Sequence, residues 1–503
     1  MRPKDYKPRK AKVGEVYACY IRKLKKYCLY QILSVDKSFI SYVGIDYLSE
    51  KLPNAEEVKG LPIYRRNEYV HRNSPEKSII QNNPVPHNYV YICTMELITE
   101  PPYGVYSGVW PRGDEYITRE RWKSFGKAGE DYRRNLSRGD IVVLRGTECR
   151  KYTDHLDDRL YQLFDENDPF DQFTNIYRAD VTGYSDKLIK ILCQMPLLTK
   201  LNLKCPGHSV VDFSNTHLHD LIIDVTGVKK IILPPYPDNI KIHGEISEDF
   251  TIDDSYCGQD VDVFSITMSD TNLTRYGMKK IKIDKLRISN ISELDLKKIT
   301  ADFPEIYSLD LDGKPGNVKN FKALGSLEKL EKIYYHDVFG FTAEDAAVLK
   351  DLPCLYEIDF DSIPKNAGEY LKKQWKGRLD YLSVRCLKDD GWLNDNLNNP
   401  LRHWDGSEFV PAAAYKNAVK CYKDTKKKLL SADSKEQAEE IVRQYTLCFN
   451  ELNAKYNMFI ETEERDDIFE ALEQLINECI NQESVGITVH EAWELMDSIR
   501  IDW

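Results

Sequence analysis

Two histidines one residue apart, His217 and His219, followed by Asp220, form the cluster with the most metal-like chemistry in this chain. On a strand, side chains i and i+2 share a face, as two ligands of one ion must. No third ligand is identifiable, so the pair reads as surface histidines. The acids of Glu461-Thr-Glu-Glu-Arg-Asp-Asp467 could exchange protons with a substrate; at the start of a helix they complement its dipole instead. Nucleophile elbows, phosphate-cradling glycine loops and H-E-x-x-H are absent. The 12 cysteines are scattered singly with no C-x-x-C, which removes the spacing of a zinc ribbon or a thioredoxin motif and suits a reducing cytosol. No catalytic residue, cofactor or metal site is read from the chain, and an enzyme is not expected.

What the chain offers instead is a repeat. Ile306-Tyr-Ser-Leu-Asp-Leu, Leu330-Glu-Lys-Ile-Tyr-Tyr, Leu355-Tyr-Glu-Ile-Asp-Phe and Leu379-Asp-Tyr-Leu-Ser-Val share an apolar-x-x-apolar-x-apolar pattern, with first residues 24, 25 and 24 positions apart. That period is the one of a leucine-rich repeat. A single strand with its return cannot bury its apolar edge, whereas stacked neighbours join those edges into one core. Leu309, Leu311, Ile333, Ile358, Phe360, Leu382 and Val384 are therefore expected on consecutive parallel strands, pointing inward. Earlier beats fall at Leu201/Leu203, Leu218/Leu221/Ile223, Val228/Ile231/Leu233, Ile240/Ile242, Phe264/Ile266 and Leu286/Ile288. Some are about ten residues apart, and the reading makes them successive strands of one array joined by tight loops.

The residues between the inward leucines line a concave face. Asp310, Tyr334, Asp359 and Ser383 should form one row across strands about 4.8 Å apart. Asp312, His336, Asp361 and Arg385 should form the next, with Glu357 and Tyr381 beside them. Carboxylates with two tyrosines among them suit a basic protein partner. The candidate partner-binding residues are thus Asp310, Asp312, Tyr334, His336, Glu357, Asp359, Asp361, Tyr381 and Arg385.

Composition agrees with a binding protein. Of 503 residues, 42% are hydrophobic and 30% charged, a globular and not a disordered balance. No apolar run is long enough to span a membrane and no secretory signal follows the basic start, so a cytoplasmic location is expected. The net charge of -11 is unevenly placed: residues 1–30 hold ten Lys/Arg against two acids, and residues 434–503 five against seventeen. The basic tail with Tyr6, Tyr17, Tyr20 and Tyr27 could meet phosphates and stack bases, but the acidic whole argues for a protein partner over nucleic acid.

Before the repeats the chain is β-rich. Val13–Ile21, Tyr27–Val35 and Ser38–Tyr47 read as an antiparallel meander with a basic turn, Arg22-Lys-Leu-Lys-Lys26, and later pieces fall at Asn88–Cys93 and Asp140–Leu144. Lys12-Val-Gly-Glu-Val-Tyr-Ala, the basic hairpin, the tyrosine-rich strand and the third strand resemble the immunity protein 26 family of bacterial polymorphic-toxin systems. That resemblance covers about the first 100 residues and implies a small β-rich cytoplasmic protein that neutralises a toxin by binding it. It carries no catalytic set.

Beyond Asn394-Asp-Asn-Leu-Asn-Asn-Pro400 the periodicity turns helical. Ile441, Tyr445, Cys448, Leu452 and Tyr456 make one stripe, and Ile468, Leu472, Leu475, Ile476 and Cys479 another. Thr488-x-x-Glu491 is a capping box ahead of Ala492-Trp-Glu-Leu-Met496. The end of the chain resembles a helical module found at the C-terminus of bacterial cytoplasmic proteins, which implies a location and no activity. The expected fold is α+β and multidomain: a small-barrel-like β-rich domain over 1–180, a leucine-rich-repeat-like solenoid over 181–395 and an α-helical cap over 396–503. The expected function is non-enzymatic sequestration of a protein partner, with a basic toxin domain as the candidate partner. The alternative is an enzyme or nucleic-acid-processing protein with its site in the N-terminal β domain and the repeats as a targeting arm.

Overall fold

A computed structural model describes residues 9–66, 73–102, 106–135, 139–165, 168, 170, 173–267, 274–389, 391–396, 398–480, 486–501 and 503. It is mixed α/β, with an antiparallel β-rich N-terminal region, a long parallel sheet and C-terminal helices. The chain divides into two compact units: Met1–Phe360 with Glu369–Ser383, and Asp361–Gly368 with Val384–Trp503.

The N-terminal strands Glu15–Ile21, Lys26–Val35 and Phe39–Ser49 pair antiparallel in sequence, as the meander predicts. Tyr89–Thr94 joins one side, and Lys77–Gln81 and then Tyr106–Gly108 the other. Among the described residues those two outer strands are not paired with each other, so this is an open six-stranded sheet. Both faces are covered, which is why Glu15–Ile21 is buried at every position but Tyr20. Tyr17, Cys19, Cys28, Tyr30 and Tyr42 face one apolar cluster; Val16, Ala18, Leu29 and Ile45 face another with Val58. Alternation along a strand sends successive side chains to opposite faces, and here both faces are apolar.

The helix Asp114–Ser124 packs on the tyrosine side, where the Tyr116 hydroxyl donates to the Ile45 carbonyl at 2.7 Å. Gly113 sets the approach. Its φ is 83°, and a Cβ there would stand 2.4 Å from Ile21, a clash no L side chain avoids. Glu115, two residues after Gly113, is 9% exposed and accepts a 2.5 Å hydrogen bond from Tyr30. Burial pushes its carboxyl up to about 7, against the pull of that hydrogen bond and with Glu76 adding to the rise.

The long sheet has eleven strands lying side by side in chain order: His155–Asp157, Arg178–Thr182, Lys200–Lys204, Asp220–Asp224, Asn239–His243, Val261–Thr267, Ile283–Asp295, Ser308–Lys319, Lys332–Phe339, Glu357–Asp361 and Tyr381–Arg385. Register follows the repeat phase, with Leu286 opposite Leu309, Leu309 opposite Ile333, and Leu311 opposite Tyr335. Leu309, Leu311, Ile333, Ile358 and Phe360 are 0% exposed and Val384 6%, while Leu382 is only half-buried.

The closely spaced early beats need a correction. The strand holding Ile231 does not extend the long sheet. Lys230–Ile232 pairs with Val210–Asp212 and Thr251–Asp253 in a separate three-stranded parallel sheet. Strands of the two sheets alternate along the chain, so a step of ten residues is half of one circuit and not a whole one. Ten residues suffice for one short strand and one turn, and not for a return helix. From Ile283 onward the returns lengthen and become helical, as in Leu296–Asp302 and in the Thr342-capped turn Ala343–Ala346.

In the second unit the helices Ala412–Leu429, Lys435–Lys455, Thr462–Ile480 and Val489–Ile499 enclose their own core. Tyr445, Ile468, Leu472, Leu475 and Ile476 are buried on the expected stripes, and Thr488 with Glu491 forms the expected capping box. The central aromatic is Trp404, 1% exposed, whose indole N–H donates to Asp467 at 2.8 Å. Trp493 sits at the edge, 37% exposed.

Two outcomes follow for stability. Trp404→Ala should cost about 3–5 kcal/mol, and Trp493→Ala well under that, in denaturant unfolding followed on the helical signal. For Glu115 the folded carboxyl titrates above the unfolded one near 4.5. Its contribution is therefore fully present below about pH 4.5 and is lost as pH rises through about 7. Glu115→Gln should gain stability relative to the parent between pH 5 and pH 8, by up to about 3 kcal/mol; parallel pH profiles of parent and variant would refute this.

Candidate functional site

The residues between the inward leucines do stand in register. Asp310 lies opposite Tyr334, and Asp312 opposite His336. Their charges, however, are already matched within the chain. Arg287 Nε donates to Asp310 at 2.7 Å, and burial lifts the Asp310 carboxyl even against that pairing. His336 Nδ1 is 2.8 Å from Asp312. Glu357 accepts the Tyr334 hydroxyl at 2.5 Å and meets Lys332 Nζ at 2.5 Å. Burial drives the Tyr334 phenol far up, with the Glu357 charge adding to it, and pulls the Lys332 ammonium down. Asp359 and Ser383 are half-buried; Tyr381 is 39% exposed. In the second unit Arg385 lies 3.4 Å from Asp361. The exposed members of the set are His336, Tyr381 and Arg385.

A second row lies at the N-terminal rim of the same sheet, and the sequence reading passed over it. It runs His219, Asp238, Asp262, Asp284, Tyr307, Glu331, Tyr356, Asp380, one residue per strand, just before the strand's first residue or second within it. Backbone bonds link its members. Asp238 N–H donates to His219 O, Asp262 to Asp238, Tyr307 to Asp284, Glu331 to Tyr307, Tyr356 to Glu331, and Asp380 to Tyr356, all at 2.7–3.0 Å. Strand register places Asp262 beside Asp284. Adjacent strands are about 4.8 Å apart, so eight members span roughly 34 Å. The signal was available: Tyr307, Glu331, Tyr356 and Asp380 hold the second position of each repeat, directly after the inward apolar residue.

The N-terminal region meets this rim with cations. Arg22, on the basic turn, pairs with Glu331 and lays its guanidinium 3.7 Å over the Tyr307 ring. Lys23 and Arg121 both pair with Asp238, which is 2% exposed and also accepts Gln259 at 2.6 Å. The His87 backbone N–H donates to Asp380 at 2.9 Å, its Nδ1 lies 3.0 Å from the same oxygen, and its ring stands 4.0 Å from Tyr356. Arg112 adds positive charge near Glu357, Tyr334 and Tyr356. Guanidinium on carboxylate and on an aromatic face is the pairing geometry that arginine favours.

The histidines of the metal-like cluster part ways. His217 is exposed, while His219 packs 3.4 Å from Asp238 and is pulled down to about 4 by burial and by the neighbouring Arg121. Among the described residues no three His, Cys, Asp or Glu side chains are placed to hold one metal ion. The acids at Glu461–Asp467 begin the helix Thr462–Ile480, and Asp467 is taken by His403 and Trp404. Of the basic tail, residues 1–8, Tyr6 included, lie outside the described residues; Arg9 binds Glu15 at 2.5 Å and covers the Tyr91 ring. An open cavity of about 530 Å³ in the N-terminal region is lined by Asp46, Pro62, Ile63, Arg65, Asn73 and Arg119. Within it Arg119 is bound to Asp46 at 2.5 Å and lies over the Tyr64 ring.

Asp238 is the most demanding residue of the rim, because a buried carboxylate that loses its charge leaves Lys23 and Arg121 uncompensated. Asp238→Asn should cost about 3–5 kcal/mol, toward the lower end because both cations keep some water. Chemical unfolding of the whole chain measures it, and a cost near zero would show that the cluster contributes nothing. Comparisons with protein-family models, with curated proteins and with solved structures found no match to this chain.

Proposed function

We propose that this chain is a non-enzymatic, cytoplasmic protein-binding protein of the bacterial immunity or antitoxin kind, which sequesters a protein partner. On this reading the long parallel sheet is one wall of a leucine-rich-repeat-like solenoid, ended by a helical module. The carrying observation is the sheet itself. Strand after strand buries its apolar residues on one side and sets polar and aromatic residues in register on the other, a surface far longer than any one domain strand offers. The meander at Val13–Tyr47, with its likeness to the immunity protein 26 family, supports the toxin-neutralising form of that reading.

The pairing of Asp310, Asp312 and Glu357 refines where affinity should come from. Matched carboxylates steer a basic partner weakly, so the exposed Tyr381 and His336 are the better anchors. Recovering the partner with a tagged chain and measuring binding kinetics over a salt series provides the test. Tyr381→Ala should weaken binding about 30-fold, mostly through faster dissociation, since aromatic anchors contribute about 2 kcal/mol or more. Unchanged kinetics for both Tyr381→Ala and His336→Ala would move the site off this face.

A second reading, an enzyme or nucleic-acid-processing protein acting through the N-terminal region, draws on the cavity between Arg65 and Arg119. Binding of a single-stranded oligonucleotide that is lost in Arg65→Ala, with no protein partner recovered, would select it.

A further inference from the structure

The contacts between the N-terminal region and the long sheet are of two unlike kinds. At the start of the sheet they are apolar: Trp122 and Tyr132 bury against Leu197, with Phe125, Ala128 and Tyr177 around them. Along the rim from Asp238 to Asp380 they are ion pairs and ring contacts made by Arg22, Lys23, His87 and Arg121. The two apolar clusters of the N-terminal sheet draw on residues up to Ile117 and on none from the long sheet. An apolar patch at one end and a polar seam along the rest is how a hinged cover is built. Apolar contact holds in any salt, whereas charge pairs open to water are screened and exchanged. Arg22 keeps 41% of its side chain in water while bound, and Lys23 27%.

We infer that the rim from Tyr307 to Asp380 is a binding site for arginine- and lysine-bearing segments, and that Arg22 of the chain's own basic turn, with His87 beside it, fills it as a displaceable occupant. Glu331, Tyr307, Tyr356 and Asp380 form the receiving surface, with carboxylates and tyrosine faces alternating across neighbouring strands. Such an array recognises a guanidinium by charge and by stacking together. This inference rests on the proposed binding function, and it names what the partner must carry: a basic turn able to take the place of Arg22. The cover would keep the row closed until such a segment competes for it.

The test uses the full-length chain and a fluorescein-labelled hexa-arginine peptide as the probe, in fluorescence anisotropy at low salt. Arg22→Ala should bind the probe at least about tenfold tighter than the parent. Lys25→Ala removes the same charge from the same turn and should bind as the parent does. Adding Glu331→Gln and Asp380→Asn to the first variant should abolish the gain. These are rim substitutions of similar shape, and circular dichroism checks that each variant is folded. Equal binding by the parent and both alanine variants, or a gain that survives the rim substitutions, would overturn the inference. Should the gain be absent while a native partner still depends on Tyr381, the cover alone is wrong and the binding function stands. A gain present with no partner dependence on Tyr381 or His336 would place that function on the rim.

Discussion

The parallel ladder imposes the constraint from which the rest of the molecule follows. A parallel strand hydrogen-bonds evenly to both neighbours, and its apolar residues can be buried only if every neighbour keeps the same phase. Leu286, Leu309 and Ile333 stand opposite one another because a slip of one residue would turn each of them into water. Once that phase is fixed, everything else about the strand is fixed with it. The residue after the first apolar position falls at the rim, and the alternate positions fall on the outward face. The charges of the sheet are therefore placed by the packing of its leucines.

That dependence explains what could be read from sequence. The four repeats from Ile306 to Val384 were legible because pattern and period agree, and so were the caps at Thr342 and Thr488, where a short polar side chain meets an acid three residues on. The early beats were legible as strands but not as two sheets. A run such as Lys230-Ile-Ile-Leu233 states that it is apolar, and not which neighbour it will pair with. Burial in the helical unit was legible as a stripe. Which tryptophan it would enclose was not, since Trp404 lies in a short turn with no periodicity of its own.

The outward face was legible by position and misleading by charge. Counting carboxylates at Asp310, Asp312 and Glu357 suggests an acidic surface. Yet Arg287, His336 and Lys332 occupy adjacent register positions or the strand beside them; Arg287 and Lys332 each neutralise an acid across the sheet, and His336 hydrogen-bonds Asp312. Cross-strand neighbours lie close enough for opposite charges to pair, so a sheet's net field depends on the register as much as on composition. A list of acids cannot show this, because the matching groups belong to other repeats 23 to 25 residues away.

The rim shows the converse. The basic turn at Arg22–Lys26 and the acidic second positions of the repeats are separated by hundreds of residues, and either alone resembles a solvated charge run. Brought together they differ in burial: Asp238 is 2% exposed and holds two cations, whereas the Arg22–Glu331 pair stays open to water. A buried carboxylate cannot easily release its partners, since desolvation makes an unpaired charge there costly. An open pair can exchange, because water and salt ions substitute for either member. The seam is thus firm near Asp238, beside the apolar contact of Trp122 and Leu197, and loosest at Arg22 on Glu331, since the His87–Asp380 pair is nearly as covered as Lys23–Asp238. Exchange along the rim should accordingly begin at Arg22 and Glu331, and the better-covered pairs at Asp238 and Asp380 should open later.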